Sequence, residues 1–189
     1  MYPDAYLCQL AEIFNGISVN TPSLSAIIAI ILAGLLLLAS GFASASEIAF
    51  FSLSPSDLND IEEGNHPSDG KISNLLADSE RLLATILITN NFVNVTIIML
   101  CNFFFMNVFV FHSPLAEFLI LTVILTFLLL LFGEIMPKIY SAQKTLAFCR
   151  FSAPVIYMLR KVFAPISAVL VPVTYTHLRA HETVLDLVC

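Results

Sequence analysis

Positive charge is scarce in this sequence and missing where most chains already carry some. Lys and Arg number eight in 189 residues, and none lies among the first 70. Charged residues make up 12% of the chain, about half the usual share of a soluble domain. Hydrophobic residues reach 58%, with a mean hydropathy of +0.90. A soluble fold of this length could not bury so much apolar surface, so the solvent for most of the chain is a lipid bilayer. The net charge of −6 argues against nucleic acid as a partner. Cys8, Cys101, Cys149 and Cys189 are widely scattered. With no C-x-x-C and no Cys/His cluster, neither a zinc site nor a disulfide framework is signalled. H-E-x-x-H and G-x-S-x-G are both absent, and His66, His112, His177 and His181 all fall outside the apolar runs. An intramembrane enzyme is therefore not expected.

What is present is three apolar runs long enough to cross a membrane. The first extends from about Leu24 to Leu53, with an Ile/Leu/Ala-rich half followed by S-G-F-A-S-A-S-E-I-A-F-F-S-L. Thirty helical residues would measure about 45 Å against a hydrocarbon core of about 30 Å, so this span should tilt, bend or break, with Gly41 the expected place. The second runs from about Leu82 to Phe111 and is seeded with Thr and Asn. The third runs from about Leu115 to Phe132 and continues through Glu134 to Pro137. A fourth apolar segment, Phe151 to Val173, carries Arg160, Lys161 and three prolines. Its Val155, Ile156, Met158, Leu159, Val162 and Phe163 fit one helix face, which predicts an interfacial amphipathic helix rather than a crossing.

All the basic residues flanking the spans lie either between the first two (Lys71, Arg81) or after the third (Lys138, Lys144, Arg150, Arg160, Lys161). The positive-inside rule then puts the N-terminus outside and the C-terminus in the cytoplasm. A cleaved signal peptide fits the first run poorly, because it has no positive n-region and the A-x-A-like site lies too far into the chain. The hydrophilic stretch Ser54 to Arg81 should form a short helical hairpin. Ser56 or Asp57 would cap its first helix, Ser73 to Asp78 would form its second, and Asp78-Ser79-Glu80 would open the second span. Its acidic residues Asp57, Asp60, Glu62, Glu63 and Asp69 read as a solvated face.

The informative residues are the polar ones inside the apolar runs. Ser44 and Glu47 lie about 16 and 12 Å into the membrane from Pro55, and Asn90 and Asn94 about 14 and 20 Å beyond Arg81, at 1.5 Å per helical residue. Glu134 ends the third apolar run beside Gly133, three residues before Pro137 and four before Lys138. An ionised group at depth costs at least about 3 kcal/mol, and a broken backbone there must line a cavity or be buried in protein. One bound cation would answer both costs. Hydroxyl, carboxamide, carboxylate and freed carbonyls (near Gly41, Gly133 and Pro137) are all oxygen ligands, which suit Mg²⁺, Ca²⁺, Na⁺ or Mn²⁺ rather than zinc or copper. The competing structural readings are a small-residue helix contact for Ser44 and Ser46 and interhelical hydrogen bonding for Asn90, Asn91 and Asn94. Glu47 could instead pair with Lys138 or Arg81, and Lys138 could be an interfacial anchor.

Four features carry a family resemblance: S-A-S-E-I-A-F-F-S-L-S, E-R-L-L-A-T-I-L-I-T-N-N-F-V-N, F-G-E-I-M-P-K, and the spacing between them. Over about residues 25 to 172 the chain resembles the transmembrane domain of the CNNM/CorC family of magnesium transporters. The resemblance implies an all-α membrane fold: three transmembrane helices, a cytoplasmic helical hairpin between the first two, and a juxtamembrane helix after the third. It implies a homodimer in a bacterial inner membrane and Mg²⁺ transport, with efflux the expected direction and Na⁺ the candidate coupling ion. It also implies a cation site in which Ser44, Asn90 and Glu134 are ligands, Gly133 offers its backbone and Pro137 breaks the helix. Ala45 and Thr89 stand where the family carries glycines, which adds bulk near that site. S-E-I-A-F-F-S-L-S-P-S-D is also similar to a gliding-motility-associated branch of the family, so the alternative function is a membrane scaffold of a motility or secretion apparatus with a structural ion.

The expected organisation is an extracytoplasmic segment 1–22, a transmembrane domain 23–150, a juxtamembrane region 151–175, and a tail 176–189 whose composition departs from what precedes it and reads as non-native. The resemblance implies that a nucleotide-binding CBS pair follows in the full-length parent.

Overall fold

A computed structural model describes residues 18–110 and 114–164. The segment before residue 18, the end of the juxtamembrane region from 165, and the terminal stretch 176–189 lie outside the described residues. The fold is helical, with three helices long and apolar enough to cross a membrane: Leu24–Phe51, Ser79–Val108 and Glu117–Gln143.

The first helix, α1 (Leu24–Phe51), starts where Ser23 Oγ accepts the Ala26 N–H at 3.3 Å, an N-cap contact. It is α-helical for all 28 residues, about 42 Å. The expected break at Gly41 does not occur. Inside hydrocarbon every freed backbone group is costly, so the helical ladder continues through it, and Ser46 donates to the Phe42 carbonyl at 2.7 Å. No carbonyl is released at Gly41 for a ligand.

The hairpin that follows consists of α2 (Pro55–Glu62) and α3 (Asp69–Leu76). The cap of α2 is Ser54, not Ser56 or Asp57. Ser54 Oγ accepts from the Asp57 N–H while the Asp57 carboxylate accepts from the Ser54 N–H, and Pro55 occupies the first helical turn. This is a reciprocal capping box. Gly64 follows with φ +70, the left-handed conformation that ends a helix and that only glycine adopts readily. Helix α3 begins four residues earlier than expected, because Asp69 is drawn into the fold rather than left in solvent.

The second span is α4 (Ser79–Val108). Its polar residues in the apolar run turn their hydroxyls onto their own helix: Thr85 to the Arg81 carbonyl, Thr89 to that of Thr85, Thr96 to that of Phe92, at 2.7 to 2.8 Å. The third span is composite. Helix α5 (Pro114–Leu128) passes into a π-helix, Leu129–Ile135, and then into α6 (Met136–Gln143). A last helix, α7, covers 145–164. It starts earlier than Phe151, and the residues read as one face divide between two. Cys149, Ser152, Ala153 and Ile156 are buried, whereas Val155, Met158 and Val162 are exposed. Two apolar stripes on roughly opposite sides had merged into one in the sequence pattern.

One feature lies outside the all-α expectation. β1 (Ser18–Val19) pairs antiparallel with β2 (Phe109–Val110), and the Asn20 N–H donates to the Val108 carbonyl at 2.8 Å. Two-residue strands are too short to show an alternating pattern.

The chain divides into two compact units. Unit one is Met1–Ser40 with Phe92–Ile135, and unit two is Gly41–Asn91 with Met136–Cys189. Unit one packs Ala33, Val93, Ile97, Cys101 and Leu125 at its centre. Unit two centres on Ala49, Phe50, Ile61, Ile72, Leu75, Leu82, Ile86, Cys149, Ala153 and Ile156, so the hairpin is sealed by the ends of two spans and by α7.

Candidate cation site

Gly133 and Glu134 lie in the π-helical segment. Pro137 is the second residue of α6 and has no N–H to return to the carbonyl four residues earlier, that of Gly133. The expected break is thus absorbed as a wider turn that keeps the helical path continuous. Such π segments recur at functional positions because they re-aim side chains and loosen backbone pairing. Glu134 is half-buried there.

Gly133 is buried, and a Cβ in its place would stand 3.2 Å from Ser40 Oγ and 3.4 Å from Leu37 Cδ1. Ser40, itself fully buried, donates to Asn94 Oδ1 at 2.6 Å. In unit one, therefore, Ser40 of α1 bonds Asn94 of α4 and lies close against Gly133 of the third span. Asn94, proposed as a ligand from sequence, has its carbonyl oxygen engaged by Ser40. Ser40 was not singled out by the sequence reading. Its signal was its position one turn before Ser44.

In unit two, Ser44 is fully buried and its Oγ has no hydrogen-bond partner among the described residues. Its neighbours behave differently. Ser46 bonds its own helix, and so do Ser141 (to Lys138) and Ser152 (to Cys149). Leaving a buried hydroxyl unmatched costs about 1–3 kcal/mol, which sets Ser44 apart from the other serines of its helix. Asn90 is also buried, at 9% exposure. Glu47 pairs with Lys138 at 3.2 Å, each side chain about a quarter exposed, while Arg81 pairs with Asp78. Of the alternatives for Glu47, the ion pair with Lys138 is the one formed. At the two positions where the resemblance leads one to expect glycine, Ala45 is buried and Thr89 turns its hydroxyl to the helix backbone.

Among the described residues no group of three or more His, Cys, Asp or Glu is placed to hold a metal. A carboxylate-rich or thiolate site is not formed by them. A cavity of about 320 Å³ in unit one, lined by Asn102, Glu117, Thr122 and Thr126 among apolar residues, includes none of the predicted ligands.

The strongest polar contact of unit two was missed from sequence. Arg150 of α7 donates to both Asp69 oxygens, Nε to Oδ1 at 2.8 Å and a terminal nitrogen to Oδ2 at 3.1 Å, and the His66 N–H donates to Oδ2 at 2.9 Å. The Arg150 guanidinium holds the Asp69 carboxyl below its ordinary range, against the opposing effect of burial, with the His66 N–H assisting. Cys149 beside it has its thiol pushed up to about 12 by burial, which leaves it inert. Arg160 adds bonds to the Asn74 carbonyl and side chain, each 3.0 Å. The clue in the sequence was a lone arginine inside the apolar stretch A-F-C-R-F.

Three helices long and apolar enough to cross a membrane, with a capped hairpin between the first two, mark a multi-pass membrane protein. The family of the Cyclin M transmembrane N-terminal domain matches residues 30–183, and the chain belongs to it. It is also similar to a UPF0053 protein of Haemophilus influenzae, with 32% identity over 130 residues that make up 69% of this chain and 30% of that protein. The chain thus spans under a third of that relative's length.

Proposed function

We propose that the chain binds Mg²⁺ within the membrane and carries it across, with Ser44, Asn90 and Glu134 as side-chain ligands and the Gly133 backbone beside them. The observation that carries this reading is the Ser44 hydroxyl, buried and unmatched on a helix whose other serines are satisfied. Spacing supports it further. Successive spans run in opposite directions, and Ser40 of the first is bonded to Asn94 of the second. One turn on along the first helix and one turn back along the second stand Ser44 and Asn90, a spacing consistent with a shared level.

Ser44 and Asn90 would replace part of the hydration shell of the ion, and Glu134 would supply charge. That set, with retained water, suits a hard octahedral cation. The π turn at Gly133, followed by Pro137 with no N–H to return, would supply a backbone oxygen to the ion. We further propose export from a bacterial inner membrane with Na⁺ as coupling ion, an N-terminus outside and a C-terminus in the cytoplasm, a homodimer, and nucleotide control by a CBS pair in the full-length parent.

Flux of Mg²⁺ in proteoliposomes tests the central claim. Glu134→Ala should abolish it, and Ser44→Ala should reduce it at least tenfold, with a matching loss of Mg²⁺-dependent thermal protection. Unchanged flux in Glu134→Ala removes the transport reading. A second reading, a membrane scaffold with a structural ion, draws on Asn94 and Glu47, whose polar groups are engaged by Ser40 and Lys138. It predicts Mg²⁺ protection of the fold without any flux.

A further inference from the structure

Helices α4 and α5 line the cavity of about 320 Å³ in unit one, which plays no part in the Mg²⁺ reading. Leu121 and Leu125, both buried, give it an apolar lining. Four of its residues carry side-chain oxygen: Asn102 from α4, and Glu117, Thr122 and Thr126 from α5. At 1.5 Å per helical residue, Asn102 lies about 9 Å before the end of α4 at Val108, and Thr122 and Thr126 lie about 12 and 18 Å along α5 from Pro114. Counted from the turn that joins the two helices, these oxygens reach about halfway through a hydrocarbon core of about 30 Å.

Two observations set them apart. Thr85, Thr89 and Thr96 each turn their hydroxyl onto the carbonyl four residues back along α4, which satisfies a hydroxyl without a partner helix. Among the described residues Thr122 and Thr126 make no such bond, and both are exposed. The second observation is charge. Unit one, Met1–Ser40 with Phe92–Ile135, contains no lysine and no arginine. Glu117 stands in the first turn of α5, where the helix dipole favours a carboxylate. The dipole explains why one charge is tolerated. It does not explain a carboxamide and two hydroxyls on the same cavity. A carboxylate on a membrane span calls for a named partner, and no lysine or arginine of its own unit can be that partner.

We propose that the cavity binds a small alkali cation, Na⁺ foremost. The Glu117 carboxylate supplies the charge, and Asn102, Thr122 and Thr126 replace part of the ion's water. All four offer oxygen, which hard cations prefer. One carboxylate cancels one positive charge, whereas a divalent ion would keep a net charge where the dielectric is low and charge is penalised. The site shares no residue with the Mg²⁺ site and stands without it; only a role as the seat of a coupling ion rests on the transport reading.

Binding of radioactive sodium to the full chain in nanodiscs, with no Mg²⁺ present, tests the site. Wild type should bind it saturably, with unlabelled Na⁺ competing and choline not. Thermal midpoints in NaCl should exceed those in choline chloride at equal ionic strength. Glu117→Gln should abolish both effects. Thr122→Val, which keeps the shape and removes the hydroxyl, should raise the half-saturating Na⁺ concentration about fivefold. Absence of saturable sodium binding in wild type overturns the proposal, and so does wild-type binding in a folded Glu117→Gln chain. Displacement of sodium by Mg²⁺ at lower concentrations than by Na⁺ itself overturns the monovalent assignment. A midpoint that follows pH and ignores Na⁺ would make Glu117 a proton carrier, which also overturns it. Because Mg²⁺ is left out, these results are read separately from the fate of the Mg²⁺ site.

Discussion

In unit one the polar contact that joins two helices is neutral, Ser40 to Asn94 at 2.6 Å. In unit two the corresponding contacts use charge: Arg150 to Asp69, Lys138 to Glu47 and Arg160 to Asn74. The described residues of unit one include only two charged side chains, Glu117 and Glu134. A neutral bond between helices in lipid is worth about 0.6 kcal/mol on average, and an ion there costs several times that. A partly hydrated guanidinium at an interface can hold a carboxylate at far less cost, and the Arg150 side chain keeps 24% of its surface. The contrast teaches where each kind of glue is tolerable. It also draws attention to Glu134, one of only two charged side chains among the described residues of unit one.

The comparison can be broken most forcefully in unit two. Asp69→Asn leaves Arg150 without its counter-charge and should cost about 3 kcal/mol, read as a lower Tm in detergent. The same pair has a pH signature. The folded Asp69 carboxyl is held below its ordinary value of 3.8, so its stabilisation is complete above that pH and is lost as pH falls through the folded value. Acid unfolding below about pH 4 should be shallower in Asp69→Asn, and an unchanged acid limb would mean that the pair contributes nothing.

Next in size is Gly133→Ala in unit one. Its Cβ would sit 3.2 Å from Ser40 Oγ, an overpacking of about 1–3 kcal/mol. In a Ser40→Ala background that contact is gone, so the same substitution should cost measurably less. Strict additivity in the cycle would show that the two residues do not touch. Ser54→Ala, which removes the cap of α2, should cost about 1 kcal/mol. Smallest is Ser40→Ala alone, about 0.6 kcal/mol. Helix-packing loss as large as that of Asp69→Asn would erase the distinction between the units.

Much of this was legible before folding. Apolar length fixed the three spans to within about three residues at most ends, since only a helix of that length satisfies its backbone in lipid. The motif around Ser44, Asn90 and Glu134 singled out the polar residues. The sequence pattern was silent where partners lie far apart in the chain. Asp69 looked solvated because its arginine is 81 residues away. Gly41 looked like a break because length alone does not say whether a long helix breaks or runs on. The α7 stripes merged because an apolar residue reads the same whether protein or lipid covers it.

Composition by itself determined that this chain lives in a bilayer and how many times it can cross, because transfer of apolar surface is additive and needs no partner. Only the tertiary structure decided which serine stays unmatched, which carboxylate meets an arginine, and how Gly133 approaches Ser40. Those outcomes depend on distances between helices, and no spacing along one helix contains them.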